Sequence, residues 1–535
     1  MVETEHGANK PAFAAWLAGG LAAVIAAIVL IAIVTNRGGR DAADADRPST
    51  STVPASSTTV PDESPPPADQ EATDAADSTT PLSRDFVGQE ITVFVIDNGA
   101  TDALQRLTES HFTPGTGLVV DFTSLPEQEL RERVTFPGSL PTLESDVRMI
   151  GPFDAPQLGG INEWLVDLTP FAEEHPTYDL ADITPAIREA NSLNDGFYAA
   201  PFFAESSFLM YNQEIMDAAG VTVPDNPTWT QVAEIAARVH SDEVAGICLR
   251  GQSGWADLGA SLTTVVNTFG GTWWEETADG LPGEPQINQP DSAFRAATEF
   301  YVDLAQNYGQ DNAANSSFPQ CLELMQSGGA AMWFDSTSAA GILENQGLTG
   351  NLGVARAPTG PTGLPGGWLW SWGLGISEPT SATIDRLDAA WEFVRWATSK
   401  EFIELLGEEE GWETAPLGTR LSTLDNPSFQ AATESFADVA VEELLAADPN
   451  NPGTTPRPGL PGVQYVGIPE FQQVATDCTI ELSAAFTGTI TIDEALGSCQ
   501  LGAFQALQDL PSPPGPSGVQ SPSLCLLYTS DAADE

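Results

Sequence analysis

Apolar and polar positions change period several times along this chain, and each change predicts an element. Residues 11–34 carry no charged side chain and hold a continuous apolar run, long enough to span a bilayer. Residues 35–85 are dominated by Pro, Ser, Thr, Asp and Ala, so they bury no core and read as an extended linker. Order starts at residues 89–96, an alternating to fully apolar run that predicts a buried strand. Asp97-Asn98-Gly99-Ala100 breaks it. Residues 101–112 then take helical spacing, with Leu104, Leu107, His111 and Phe112 on one side. A strand at 118–122, a helix at 126–135 and a strand at 147–150 follow. Strands alternating with helices predict a mostly parallel sheet, with ligand beyond the carboxyl ends of the strands, near Asn98 and Gly151.

Further along, residues 161–201 continue a first lobe, and residues 202–211 read as a crossing segment into a second. Thr228 caps a helix. Residues 245–251 predict a strand ending in a glycine loop, and residues 330–335 a buried strand ending in an acid. Helices are expected over 291–309, 320–327, 389–397, 401–406 and 429–447, with the last ones closing at Leu507. There is no internal repeat. Residues 511–535 form a Pro/Gly/Ser-rich unstructured tail. Its last part, 525–535, resembles the translation of a sequencing adapter and not part of a fold.

One stretch departs from these patterns. In Gly366-Gly367-Trp368-Leu369-Trp370-Ser371-Trp372-Gly373, three tryptophans alternate with smaller residues inside a glycine frame. As a strand, it puts Trp368, Trp370 and Trp372 on one face. A core strand would satisfy that alternation too. The glycine frame, and 13 Trp against 7 Tyr in the whole chain, favour an aromatic face for a polyhydroxylated ligand. Glu205 and Asp335 end or interrupt apolar runs, where a carboxylate is otherwise costly. Trp255, Trp273 and Trp412 add aromatic surface at loops and strand ends.

Composition removes several classes. Asp and Glu number 75 against 19 Lys and Arg, a formal net charge of −56, so no nucleic-acid partner is expected. The 4 histidines have no metal-ligand spacing, and neither a nucleophile elbow nor a phosphate-binding loop occurs. No metal, cofactor or catalytic residue is therefore expected. A glycosidase-type carboxylate pair could still hide among so many acids. No cysteine precedes Cys248, which excludes a lipid-modified N-terminal cysteine, and residues 11–34 read as an uncleaved signal anchor. Cys478 and Cys499 flank two predicted helices, either bridged or free, and in an exported domain a bridge is the expectation. Cys248, in an apolar strand, reads as a buried free thiol, with a bridge to Cys321 at the start of a helix as the alternative.

A family resemblance rests on Asp97-Asn98-Gly99, residues 130–135, Tyr198-Ala199-Ala200-Pro201-Phe202, residues 205–211, residues 246–251, Gly254-Trp255 and residues 368–372. It continues through residues 396–400, Glu410-Gly411-Trp412, residues 416–420 and residues 468–472. In order and over nearly the whole folded part, these resemble the family 1 extracellular solute-binding proteins of ABC importers. Within that family the sorbitol/mannitol binders are the most similar. The resemblance implies an α/β, bilobed periplasmic-binding-protein-like fold that closes on its ligand. It also implies a ligand face of Asn98, Glu205, Ser206, Arg250, Trp255, Trp273, Asp335, Trp368, Trp370, Trp412 and Arg420.

The expected organisation is a tail (1–10), a transmembrane anchor (11–34), a linker (35–85) and a solute-binding domain (86–510). Lobe 1 is expected over 86–202 and 335–376, and lobe 2 over 203–334 and 377–510, hinged near 201–206, Asp335 and Ser377. The expected function is capture of a polyol or small sugar outside the cell, by a monomer held at the cell membrane, for delivery to an ABC permease. The alternatives are an exported carbohydrate-active enzyme and a sugar-sensing module. In the capture reading Trp370 stacks on the ligand while Glu205 and Asp335 accept its hydroxyl hydrogens.

Overall fold

Glu90–Ile96 is the second strand of a five-stranded sheet. The computed structural model describes residues 86–135, 144–378, 384–454 and 456–509. The apolar run 11–34, the linker and the tail lie outside these residues. Among the described residues no helix is long and apolar enough to cross a membrane. The strand order is Val119–Leu125, Glu90–Ile96, Val147–Ile150, Trp370–Ile376, Ala200–Glu205. The first three are parallel; Trp370–Ile376 runs antiparallel to both of its neighbours. Glu90–Ile96 is buried over most of its length, as expected of a strand covered on both faces.

Local sequence places the helix that follows. The Asn98 side chain accepts from the amides of Ala100 and Thr101, and Thr101 answers to the Asn98 amide, a reciprocal cap. The helix Gly99–Leu107 then widens into a single π turn, Thr108–Phe112. Thr228 with Gln231 and Ser317 with Gln320 cap two more helices in the same way.

The second sheet has three antiparallel strands, in the order Met332–Ser336, Ser207–Asn212, Leu352–Ala355. The chain crosses from one sheet to the other at a single residue, Ser206. Glu205 ends the edge strand of the first sheet and Ser207 begins the central strand of the second. Ser206 is pinned there: its amide donates to Thr337 Oγ1 at 3.1 Å and its carbonyl accepts from the Thr337 amide at 2.9 Å. The chain returns between Ala355 and Trp370.

These placements correct the expected lobe limits. The first lobe runs through Glu205 rather than 202. Residues 335–355 belong to the second sheet, not the first lobe. The helices Ile384–Ala397 and Lys400–Glu410 pack on the first sheet and on the helix Gly99–Leu107, so they are not part of the second lobe. Their apolar stripes show that each buries one face, but not against which sheet. Residues 245–251 make isolated bridges, Ala245 to Ala330 and Cys248 to Trp333, rather than a strand. Residues 429–447 form two helices, Pro427–Ala432 and Ala437–Ala446. Thr433 ends the first, its hydroxyl bonded to the Phe429 carbonyl at 2.8 Å.

Two disulfides brace the second lobe. Cys478 is bonded to Cys499, across the closing helices Phe471–Phe486 and Ile492–Asp509. Cys248 is bonded to Cys321, with Cα atoms 5.6 Å apart, so it is not a free thiol. Seventy-three residues separate the pair, and only the fold brings them together.

Candidate functional site

The carboxyl end of Glu90–Ile96 and the turn after Met332–Ser336 face each other across a cleft of about 590 Å³. That is within the size range of small-molecule sites. Strand register fills one wall. Trp370 pairs with Glu205, and Trp372 with Phe203. Partners in an antiparallel pair point to the same face, so all four side chains meet the cleft. A register shift follows directly, between Trp372 and Gly373. A Cβ at Gly373 would lie 2.9 Å from the Ala199 Cβ, so only glycine fits the shifted strand without displacing its neighbour.

The tryptophan face is present, but it is not bare. The Arg131 guanidinium lies 4.6 Å from the ring centroid of Trp255, 4.6 Å from that of Trp370 and 4.5 Å from that of Trp372. Glu127, one turn earlier on the same helix, accepts from Arg131 Nε at 2.9 Å and from Nη2 at 2.7 Å. Such cation–π contacts are strongest when desolvated, and Arg131 is only 5% exposed. The indole N–H groups of Trp368 and Trp370 are buried without a protein acceptor. An unpaired buried donor costs about 1–3 kcal/mol, so these two N–H groups suit an acceptor supplied from the cleft.

Trp370 also needs Gly151. A Cβ there would sit 2.0 Å from Trp370 Cζ2. Gly151→Ala should therefore push the ring out of place. We expect a stability loss of about 1–3 kcal/mol, as for overpacked sites. The near-ultraviolet circular dichroism of the ligand-free protein should change with it, and an unaltered spectrum would show that the ring does not rest on this glycine.

Beside Trp370 that wall turns polar at Glu205, where the turn after Met332–Ser336 meets it. Glu205 Oε2 accepts from Ser336 Oγ at 2.5 Å and Ser338 Oγ at 2.9 Å. Burial pushes the Glu205 carboxyl up to about 7, against the two serine bonds and the Arg250 charge, with Asp335 adding to the rise. Arg250 makes a two-pronged pair with Asp335, 2.7 Å from Nε to Oδ2 and 2.6 Å from Nη2 to Oδ1. Burial works against the Arg250 charge, but Asp335 outweighs it and raises the guanidinium pKa. Asp257, near Arg250 and bonded by Ser317, is raised by burial and by the Glu127 charge across the cleft, with Arg250 opposing.

Six of the expected ligand residues line this cleft: Asn98, Glu205, Arg250, Trp255, Trp368 and Trp370. The Asn98 oxygen is already committed to its helix cap. Five expected residues do not line it. Asp335 is fully buried, and its carboxylate accepts from Arg250 twice, from Trp333 Nε1 and from the Ser336 amide. It holds Arg250 in place instead of facing a ligand. Ser206 is the buried crossing residue. Trp273 is core, its N–H bonded to Thr263 Oγ1 at 2.9 Å and its ring against Phe294 and Phe471. Trp412 joins the small cluster with Ile403, Ala415 and Phe429. Arg420 lies over Tyr178 and bonds the carbonyls of Thr398 and Asp179.

Sequence reading passed over Arg131, Glu127, Phe203, Asp257, Ser336 and Ser338, all of which line the cleft. A signal existed for two of them. The helix that opens after Val119–Leu125 starts at the carboxyl edge of the sheet. Positions 127 and 131, four apart, share the face that looks into the cleft.

Comparison with known proteins gives a consistent result. The family model described as bacterial extracellular solute-binding protein matches residues 98–402. A mannitol-binding protein of Pseudomonas aeruginosa is 33% identical over 417 residues, 77% of this chain and 92% of the relative. Among solved structures, an ABC transporter solute-binding protein of Agrobacterium vitis S4 with bound D-mannitol superposes with a TM-score of 0.73 at 35% identity. That match covers 78% of this chain and 98% of the other. A ribitol complex from Agrobacterium radiobacter K84 shares the fold, with a TM-score of 0.68 at 22% identity, over 80% of this chain and all (100%) of the other.

Proposed function

This chain belongs to the bacterial extracellular solute-binding proteins, and from that premise we propose that it captures a polyol of the mannitol type, or a small sugar, for an ABC importer. The observation that carries the ligand class is the polar lining of the cleft: a carboxyl group bonded by two serines, two indole N–H donors without a protein acceptor, and an arginine over the indole faces. A polyol offers donors and acceptors on every carbon, and each hydroxyl leaving water needs a replacement partner. In this reading Glu205 accepts ligand hydroxyls, Trp368 and Trp370 donate to ligand oxygens, and Asp335 positions Arg250. The two sheets, joined through Ser206 and residues 356–369, close over the ligand. Residues 11–34, outside the described residues, would tether the monomeric domain through the 35–85 linker to the outer face of the cell membrane, beside its permease.

The raised carboxyl of Glu205 gives a pH signature. Between its ordinary range near 4.5 and about 7, the folded protein holds a proton that the unfolded chain has lost. Stability from this group is therefore fully present below about 4.5 and declines as pH rises through 7. Glu205→Gln should flatten that part of the stability–pH curve. Ligand affinity should run the other way, rising as pH passes 7, because a carboxylate is the stronger acceptor. Calorimetric titrations at pH 5.5 and 8 check this, and equal affinities at both would remove Glu205 as the acceptor.

The function itself is tested by thermal shift against a panel of hexitols, pentitols, hexoses and disaccharides, with the ligand analysed afterwards. A ligand at 100 times its Kd should stabilise the domain by about 2.7 kcal/mol. Capture requires that it be recovered unchanged. Turnover of a glycoside would replace this reading with an enzymatic one.

A further inference from the structure

We propose that Arg131 sets the ligand class of this cleft, by occupying the tryptophan faces on which a sugar ring would otherwise stack. The proposal rests on the capture reading above and goes a step further, from where a ligand binds to which shape is admitted.

The chemistry begins with the difference between the two ligand shapes. A pyranose ring presents a flat patch of C–H groups, and its binding gains from stacking that patch on an indole face. An acyclic polyol has no such face. Its hydroxyls point in several directions along a flexible chain, so it gains chiefly from hydrogen bonds. A cleft with three open indoles would favour the ring.

Here the indoles are not open. Trp370 stands nearly edge-on to both Trp255 and Trp372, at interplanar angles of 61° and 75°, and the three rings form a corner. The Arg131 guanidinium lies in that corner, at about the same distance from each centroid. It is a built feature and not a loose side chain. Arg131 is 5% exposed, its helix starts at the carboxyl edge of the first sheet, and Glu127 grips it through two nitrogens. The Glu127 grip fixes the plane of the guanidinium, and a planar fork suits this place as the round ammonium of lysine does not. Trp255 comes from the other side of the cleft, after Gly254, so the guanidinium also touches both lobes. With the faces covered, the ligand meets N–H groups, hydroxyls and a carboxyl, which read a polyol.

The test compares a hexitol with a methyl hexopyranoside and a pyranose disaccharide, titrated by calorimetry into four proteins: wild type, Arg131→Ala, Arg131→Lys and Glu127→Gln. Wild type should prefer the hexitol. Arg131→Ala should lose about tenfold or more for the hexitol and gain for the pyranosides, shifting the preference by about a hundredfold. Arg131→Lys and Glu127→Gln should shift it in the same direction by less, and they keep the test open if the alanine variant does not fold. The readout is the ratio of affinities, which a merely structural arginine would not move. A folded variant that weakens all ligands alike, or leaves the ratio unchanged, overturns the proposal while leaving capture intact. Wild type that binds the pyranosides as tightly as the hexitol also overturns it. Wild type that binds none of them rejects the capture reading itself.

Discussion

Asp335→Ala is expected to lower the stability of the ligand-free domain by about 3–5 kcal/mol, the cost of breaking a buried ion pair from one side. Asp335 is fully buried and Arg250 only 8% exposed. Removing the carboxylate strands the guanidinium, the Trp333 indole N–H and the Ser336 amide at once. The nearest other carboxylate to Arg250 is Asp257, at 3.7 Å, and it is already engaged by Ser317. Urea unfolding at pH 7 with both disulfides intact measures the effect. A loss below about 1 kcal/mol would mean that Arg250 finds a new partner and that the pair is dispensable. The double change Asp335→Leu with Arg250→Met separates stability from function. It should recover most of the lost stability, because apolar replacements of a buried pair are often neutral, while ligand affinity stays low.

Trp370→Ala should damage both fold and affinity. Its ring is 4% exposed and packs on Gly151, Arg131, Trp255, Trp372 and Tyr465. Truncating a buried tryptophan costs about 3–5 kcal/mol of stability through the cavity it leaves. In the proposed site it also removes an N–H donor and the support of Arg131, so binding should weaken by about 2–4 kcal/mol in the folded fraction. Trp370→Phe divides the two contributions. It keeps most of the packing and loses only the N–H, so stability should largely return while affinity stays reduced. Full affinity in a folded Trp370→Phe protein would show that the indole N–H does not meet the ligand.

The first sheet was legible because its strands are short apolar runs punctuated by Asp97-Asn98-Gly99 and Gly151. Residues 202–211 could be recognised as a crossing, but the break at Ser206 could not. Phe202 through Tyr211 is apolar on both sides of that break, and both sheets bury their strands. The tryptophan alternation did put three rings on one side. Pattern alone could not show that Arg131, 239 positions before Trp370 in sequence, would cover them.

 No local period spans the distance from 131 to 370. Alone, Arg131 reads as an ordinary charge on an amphipathic helix, and its burial comes from Trp370 and Trp372 of the first sheet together with Trp255 from across the cleft. Asp335 misled in the opposite way. An acid at the end of an apolar strand does point to a buried, satisfied carboxylate, but its partner Arg250 lies 85 positions away and takes the bonds that a ligand was expected to fill. Trp273, Trp412 and Arg420 are large side chains near loops. Whether such a residue faces a cleft or a core depends on what packs over it, and here Phe471, Gly407 and Tyr178 do.

The central claim is that the cleft between the two sheets captures a polyol and releases it unchanged. Isothermal titration of the folded domain with D-mannitol, followed by analysis of the recovered ligand, tests this most directly. The account predicts saturable one-to-one binding that is weakened in Trp370→Phe, and mannitol recovered intact. Saturable binding that is insensitive to Trp370→Phe and to Glu205→Gln alike, or no binding by mannitol or any other polyol or sugar of the panel, would contradict it.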